Sequence, residues 1–190
     1  MPFSFQETEL PEVKLVSSKA FPDSRGFFAE MYKASEFNIN GIRDVFVQEN
    51  HSHSIKGTIR GLHYQNQPMA QGKLVSVIHG EVYDVAVDIR KGSPRYGKWI
   101  GELLSEKNHN MLWIPIGFAH GFCVVSETAD LVYKISGSEY APEYESGIIW
   151  NDPEINIQWP VETPVLSEKD LQLPSLTNSH NNFSFESIQQ

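Results

Sequence analysis

From Val45 onward the chain runs as short β-prone segments broken by Gly, Pro, Asn and Ser at roughly 8–12-residue intervals, a beat that few folds accommodate. Residues 45–50 and 74–78 alternate apolar and polar positions, His79-Gly80 marks a turn, and residues 81–89 follow as a strand with polar side chains threaded through it. Residues 99–104, 111–114, 121–125 and 131–136 continue the pattern. Alternation of this kind belongs to antiparallel sheets buried on one face. Repeated this often in one chain, it predicts an all-β antiparallel double-sheet jelly roll with a few short helices. One helix is expected over residues 33–41, ending at Gly41, and another begins or is capped at Ser167-Glu168-Lys169-Asp170. Upstream, residues 13–16 can pair as a strand, and residues 21–30 read as a turn with Asp, Ser and Gly followed by an aromatic strand.

At 190 residues the chain suits a single domain with a substantial core, residues 1–190. It has no interdomain linker and no sequence-identical repeat. Residues 177–190 are rich in Asn, Ser and Gln and are expected to be a mobile tail. No run of about 18 apolar residues is present to cross a membrane. Glu7, Glu9 and Glu12 stand where a leader would be basic and then apolar, so a cytoplasmic location is expected. Cys123 is the single cysteine, which excludes an internal disulfide and a thiolate metal cluster. A net charge of −9 opposes binding to nucleic acid or to an anionic membrane surface. Any phosphate must therefore be gripped locally, and Arg25, Arg43, Arg60, Arg90 and Arg95 are the arginines available.

The stretch from Gly57 to Gln65 concentrates candidate chemistry. Arg60 and His63 are three apart, a spacing that sends them to opposite faces of a regular strand. Gly61 must therefore bulge or bend the strand if both are to line one pocket. The residues alone leave His63 open between a satisfied core histidine and a functional one. Lys73, between Gly72 and an apolar run, is equally open between a partly buried cation and an edge lysine that discourages aggregation. Arg25 and Glu30 flank the aromatics of residues 27–28 and read locally as a turn arginine and an edge carboxylate.

Two segments resemble the paired motifs of the metal-binding cupins. Gly57 is followed by His63 at the expected distance, but Gln65 replaces the second histidine, and Met69 and Ala70 stand where a glutamate is wanted. Pro115-Ile116-Gly117-Phe118-Ala119-His120 matches the second motif. Two histidines fall short of the three protein donors that a catalytic zinc or iron centre needs, so a cupin-like but metal-free site with no cofactor is expected. What remains is a pocket for His63 and His120 with Arg60 and Lys73 as cations, suited to a reaction that develops an enolate or other oxyanion.

Over almost its whole length the chain resembles the dTDP-4-dehydrorhamnose 3,5-epimerase family. The resemblance is carried by Asp23-Ser24-Arg25-Gly26-Phe27-Phe28, Gln48-Glu49-Asn50-His51-Ser52, the Gly57-to-Gln65 stretch, Gly72-Lys73-Leu74-Val75, the 84–90 and 112–122 segments, Tyr133-Lys134, Trp150-Asn151-Asp152-Pro153, Trp159-Pro160 and Ser167-Glu168-Lys169-Asp170. It implies a dTDP-sugar substrate whose C4 ketone acidifies the protons on C3 and C5. Inversion then needs a base and an acid on opposite faces and a stabiliser for the enolate. By the same resemblance His63 is the base, Asp170 holds its tautomer, Tyr133 is the acid and Lys73 faces the C4 oxygen with His120 nearby. Arg25, Phe27, Glu30, Gln48, Asn50, Arg60, Glu145 and Lys169 fall on or beside positions that hold the nucleotide or sugar. Tyr140 is the candidate to stack on the thymine, although the 133–140 segment is one residue longer than the usual pattern. The family exchanges N-terminal strands, which implies a homodimer with shared active sites in which residues 1–28 reach the partner.

Overall fold

In the computed structural model, which describes residues 2–188, alternating side chains build two antiparallel sheets. The strands are β1 (Phe3–Glu7), β2 (Lys14–Ser18), β3 (Ala20–Asp23), β4 (Gly26–Ala29), β5 (Phe46–Ile55), β6 (Ile59–Gln65), β7 (Gln71–His79), β8 (Glu81–Asp88), β9 (Trp99–Ser105), β10 (Asn110–Ile114), β11 (Phe118–Val124), β12 (Thr128–Gly137) and β13 (Glu145–Gly147). One sheet has the order β1-β2-β10-β7-β12-β5, the other β13-β6-β11-β8-β9, and β3 pairs with β4 as a separate ribbon. This is the expected jelly roll.

Between the sheets lies an apolar core to which Val75, Val77, Val82, Ile100, Leu112, Ile114, Phe118, Phe122, Val124 and Leu131 contribute. Strand parity then fixes which polar residues point inward. Lys73 shares a face with Val75 and Val77, Tyr133 with Leu131, and His120 with Phe118 and Phe122. The interior of the sandwich is therefore apolar over one part and polar over another.

Helix α1 (Ala34–Ile39) covers the outer face of the six-stranded sheet through Phe37. It closes on Gly41, whose φ is +87°, as the sequence predicted. Strand β1, within residues 1–28 where the resemblance implied N-terminal strands, pairs with β2 from Phe3 opposite Ser18 to Glu7 opposite Lys14; the alternation of Phe3-Ser4-Phe5-Gln6-Glu7 is too short to announce it alone. Both strands thus belong to the sheet of their own chain, and the β3–β4 ribbon stands apart.

The tail differs from expectation. Residues 148–186 cross the outer face of the five-stranded sheet, burying Ile148, Ile155, Leu176 and Phe183 with Leu62, Val85 and Val87. Asn182 exchanges hydrogen bonds with Asn66 and Gln67. Phe185, in α3 (Phe185–Ile188), lies 4.9 Å from the buried Arg90 guanidinium, with Phe118 at 4.5 Å. A composition of Asn, Ser and Gln suggested a free end, but Phe183 packs into the apolar cluster and Asn182 and Phe185 add polar and cation–ring contacts; the last two residues of that expected tail lie outside the described residues.

Candidate active site

The bulge required by the Arg60–His63 spacing is present. His63 pairs with His120 of β11, whereas Arg60 pairs with Phe122, so β6 spends three steps where β11 spends two. Gly61 makes this possible at φ +131°, with Gly121 so close that a Cβ on Gly61 would stand 2.5 Å from its Cα. As a result Arg60 and His63 line the same cavity, of about 280 Å³, together with Lys73, His120, Phe122, Tyr133, Ser52, Ser167, Lys169 and Asp170.

A second cavity of about 120 Å³ shares His63, Lys73 and Tyr133 with the first and adds Asn50, Gln65, Gln71, Tyr140 and Glu145. The three shared side chains stand where the two hollows meet. Asn50 lies opposite Tyr133 in the β5–β12 register. On the other sheet, Glu145 pairs with Gln65 and Gly147 with His63, which puts Glu145 on the face that carries His63.

Asp170 reaches His63 from α2 (Glu168–Leu171), a single turn capped by Ser167, whose Oγ accepts from Asp170 N at 3.1 Å. The carboxylate is 2.5 Å from His63 Nε2. Burial alone would raise the Asp170 carboxyl, yet the His63 hydrogen bond and the Ser167 cap hold it below its ordinary value. An ionised Asp170 accepts Nε2–H, leaving the lone pair on the opposite ring nitrogen.

Burial pushes the Lys73 ammonium down to about 8, against the upward pull of Asp84 and Glu145. His120 is lowered by burial too, partly countered by Asp84, whose Oδ1 lies 2.8 Å from its Nε2. Asp84 Oδ2 is buried without a hydrogen-bond partner. Burial raises the Tyr133 phenol, so it stays protonated across neutral pH. At the rim, Glu145 accepts from Tyr140 at 2.7 Å and from Lys169 at 2.6 Å, and these contacts keep its carboxyl low despite burial.

Of the residues singled out from sequence, Arg60, His63, Lys73, His120, Tyr133, Lys169 and Asp170 meet in the larger cavity, and Asn50, Tyr140 and Glu145 in the smaller. Gln48 lines neither; it donates to Asn50 Oδ1 and accepts from Tyr140 N, both at 2.8 Å. Arg25, Phe27 and Glu30 are not brought to the pocket of their own chain. Arg25 is solvated and paired with Asp23 at 2.7 Å, and Phe27 leans on His109. Sequence reasoning missed Ser52, Phe122 and Ser167. Ser52 and Phe122 were findable, since each lies two residues from a chosen one on the same strand face. Among the described residues no three His, Cys, Asp or Glu side chains come together to hold a metal ion, and Gln65 spends its carboxamide on backbone groups.

Fold and cavity together define the class: a cupin-like jelly roll whose interior carries an imidazole–carboxylate pair, a phenol and a depressed ammonium. Residues 7–178 match the model of the dTDP-4-dehydrorhamnose 3,5-epimerase family. The chain belongs to that family and is, with it, a carbohydrate epimerase. It is 55% identical over 166 residues to the dTDP-4-dehydrorhamnose 3,5-epimerase of Shigella flexneri, covering 87% of this chain and 91% of that one. A solved dTDP-6-deoxy-D-glucose-3,5-epimerase from Legionella pneumophila, in complex with dTDP-4-keto-L-rhamnose, superposes with a TM-score of 0.89 at 48% identity, covering 93% of this chain and 94% of that one. The dTDP-4-dehydrorhamnose 3-epimerase of Streptomyces niveus is 40% identical over 149 residues, 78% of this chain and 72% of that one.

Proposed function

We propose that this chain inverts C3 and C5 of dTDP-4-dehydro-6-deoxy-D-glucose to give dTDP-4-dehydro-β-L-rhamnose. The observation that carries the reading is the His63–Asp170 pair in the wall of a cavity that Tyr133 and Lys73 also line. The C4 ketone makes the neighbouring C–H bonds acidic. His63 takes the proton through the ring nitrogen that Asp170 leaves free, and Asp170 stabilises the imidazolium. As the bond breaks, charge moves to the C4 oxygen, where the Lys73 ammonium, still mainly protonated at neutral pH, offsets it. Tyr133 then donates its phenolic proton to the opposite face at C5. Protons alone are moved, so the overall change is redox-neutral.

Arg60 suits the pyrophosphate, since its planar fork donates parallel hydrogen bonds, while Tyr140, Glu145 and Lys169 form the rim on the nucleotide side. The chain works as a homodimer in the cytoplasm. Support for a shared site comes from the β3–β4 ribbon: Phe27 and Phe28 are 62% and 65% exposed. Ribbon residues Arg25 and Phe27 are thus available to a neighbouring subunit's cavity, and Glu30, whose Oε2 is buried without a hydrogen-bond partner, sits just beyond them.

Incubation with the dTDP-keto-sugar in deuterated water tests the reading, with label expected at both C3 and C5 and inversion at both. Label and inversion at C3 alone would move the chain to the reaction named for its Streptomyces niveus relative. Label at neither carbon would refute proton transfer beside the ketone.

A further inference from the structure

Residues 138–141, between β12 and the turn that leads to β13, carry Tyr140 and belong to neither a helix nor a strand. Backbone groups in such a segment still need partners, and three glutamines from three strands supply them. Gln71, at the start of β7, donates to Ser138 O at 3.0 Å. Gln65, at the end of β6, donates to Glu139 O at 3.2 Å and accepts from Ala141 N at 2.8 Å. Gln48, on β5, accepts from Tyr140 N at 2.8 Å. Every residue of the segment is thereby tied to a carboxamide.

The side-chain chemistry is particular to glutamine. A carboxamide offers donor and acceptor on one flat group, so Gln65 can bridge a carbonyl and an N–H two residues apart while also donating to Met69 O at 2.6 Å. A glutamate there would present only acceptors to two carbonyls. Gln65 is 3% exposed, so a lost bond would leave buried groups unpaired.

We propose that Gln65 and Gln71 are positioning residues that, with Gln48, hold Tyr140 ready for a nucleoside diphosphate and so set the affinity for it. The inference rests on the functional reading above. Held this way, the Tyr140 hydroxyl rests on Glu145 and its ring stands at the mouth of the smaller cavity before any ligand arrives. A platform already ordered spares the ligand the cost of ordering it.

The test compares the full-length protein with Gln65→Met, Gln71→Met, Tyr140→Ala and the Gln71→Met/Tyr140→Ala pair. Calorimetry gives the Kd for dTDP, and steady-state assays with the dTDP-keto-sugar give KM and kcat. Gln65→Met is expected to weaken dTDP about tenfold, the scale of one net hydrogen bond, and Gln71→Met about threefold to fivefold. KM should rise in parallel while kcat falls by less than the Kd rises, because the bonds of both glutamines go to backbone groups and not to His63, Lys73 or Tyr133. The paired variant should bind no more weakly than Tyr140→Ala alone, as expected if Gln71 acts through Tyr140.

Unchanged affinity in Gln71→Met, losses that add to that of Tyr140→Ala, or a fall in kcat as large as the rise in Kd would overturn the proposal. If Gln65→Met does not fold, Gln71→Met decides, since its half-buried side chain gives up a single bond to this segment. A wild-type protein that neither binds dTDP nor turns over the sugar would overturn the functional reading itself. A wild-type protein that does both, with only Tyr140→Ala impaired, would overturn this inference and leave that reading standing.

Discussion

Replacing Lys73 with Met should make the protein more stable and inactive at once. The side chain keeps nearly its length and volume, so the change is chiefly the loss of an ammonium that burial has pushed from 10.5 down to about 8. Such a displacement corresponds to roughly 3 kcal/mol held against the charged form, trimmed to about 2–3 kcal/mol because the side chain is only half-buried. With the folded-state pKa lowered, the unfolded chain binds the extra proton between about pH 8 and 10.5, so wild-type stability on this account rises with pH across that window. Below pH 8 the charged lysine opposes folding in full. Lys73→Met should therefore lead the wild type by about 2–3 kcal/mol at pH 7, a net figure in which the attraction of Asp84 and Glu145 is already included. That lead should shrink towards zero near pH 10.5. Urea unfolding at pH 7, 8.5 and 10, at one protein concentration, measures it. Activity should fall on the order of 10²–10³, the usual cost of an oxyanion stabiliser, and in the wild type kcat/KM should decline as pH rises through about 8. A variant less stable than wild type at pH 7, or a difference that does not vary with pH, would refute the account of Lys73 as a strained cation.

The two faces of the sugar can be separated. His63→Ala should abolish deuterium uptake at C3 and C5, with a rate loss on the order of 10²–10⁴. Tyr133→Phe should retain exchange at C5 while losing most inversion there; inversion near the wild-type rate would assign the proton to another donor, such as water. Asp170→Asn keeps the shape but removes the charge opposite His63, and should slow turnover about 10–100-fold, the worth of one charge-assisted hydrogen bond. Equal rates for the Asn variant would reduce Asp170 to a packing role. For the shared site, Arg25→Ala and His63→Ala proteins, each impaired alone, should recover activity when unfolded and refolded together. Mixed dimers then hold one cavity with both groups intact, and no recovery would place Arg25 outside the partner's site.

Local rules revealed the parts of this molecule that depend on local rules. Alternation found strands such as β5, whose side chains run half-buried and exposed in turn, whereas β11 is buried on both faces beneath residues 148–186. The parity of a three-residue spacing foretold the bulge at Gly61, and Gly41 foretold the end of α1. Lys73 stayed open until Val75, on its face of β7, proved to be core, and Tyr133 came from the family resemblance alone. What remained hidden was pairing at a distance. Nothing near His63 names Asp170, which is 107 positions away; only the family resemblance joined them. The end of the chain misled for a related reason, since composition averages over residues whereas docking needs only a few well-placed side chains such as Phe183.

Asp170 belongs to the segment laid last across the outside of the five-stranded sheet. During synthesis both sheets can therefore emerge before the carboxylate exists, and a chain cut short after β13 would retain its strands and His63 while lacking the partner that orients the imidazole. On the proposed reading, the base gains its carboxylate partner only from a segment made after both sheets, whose seating depends on a finished sheet beneath it.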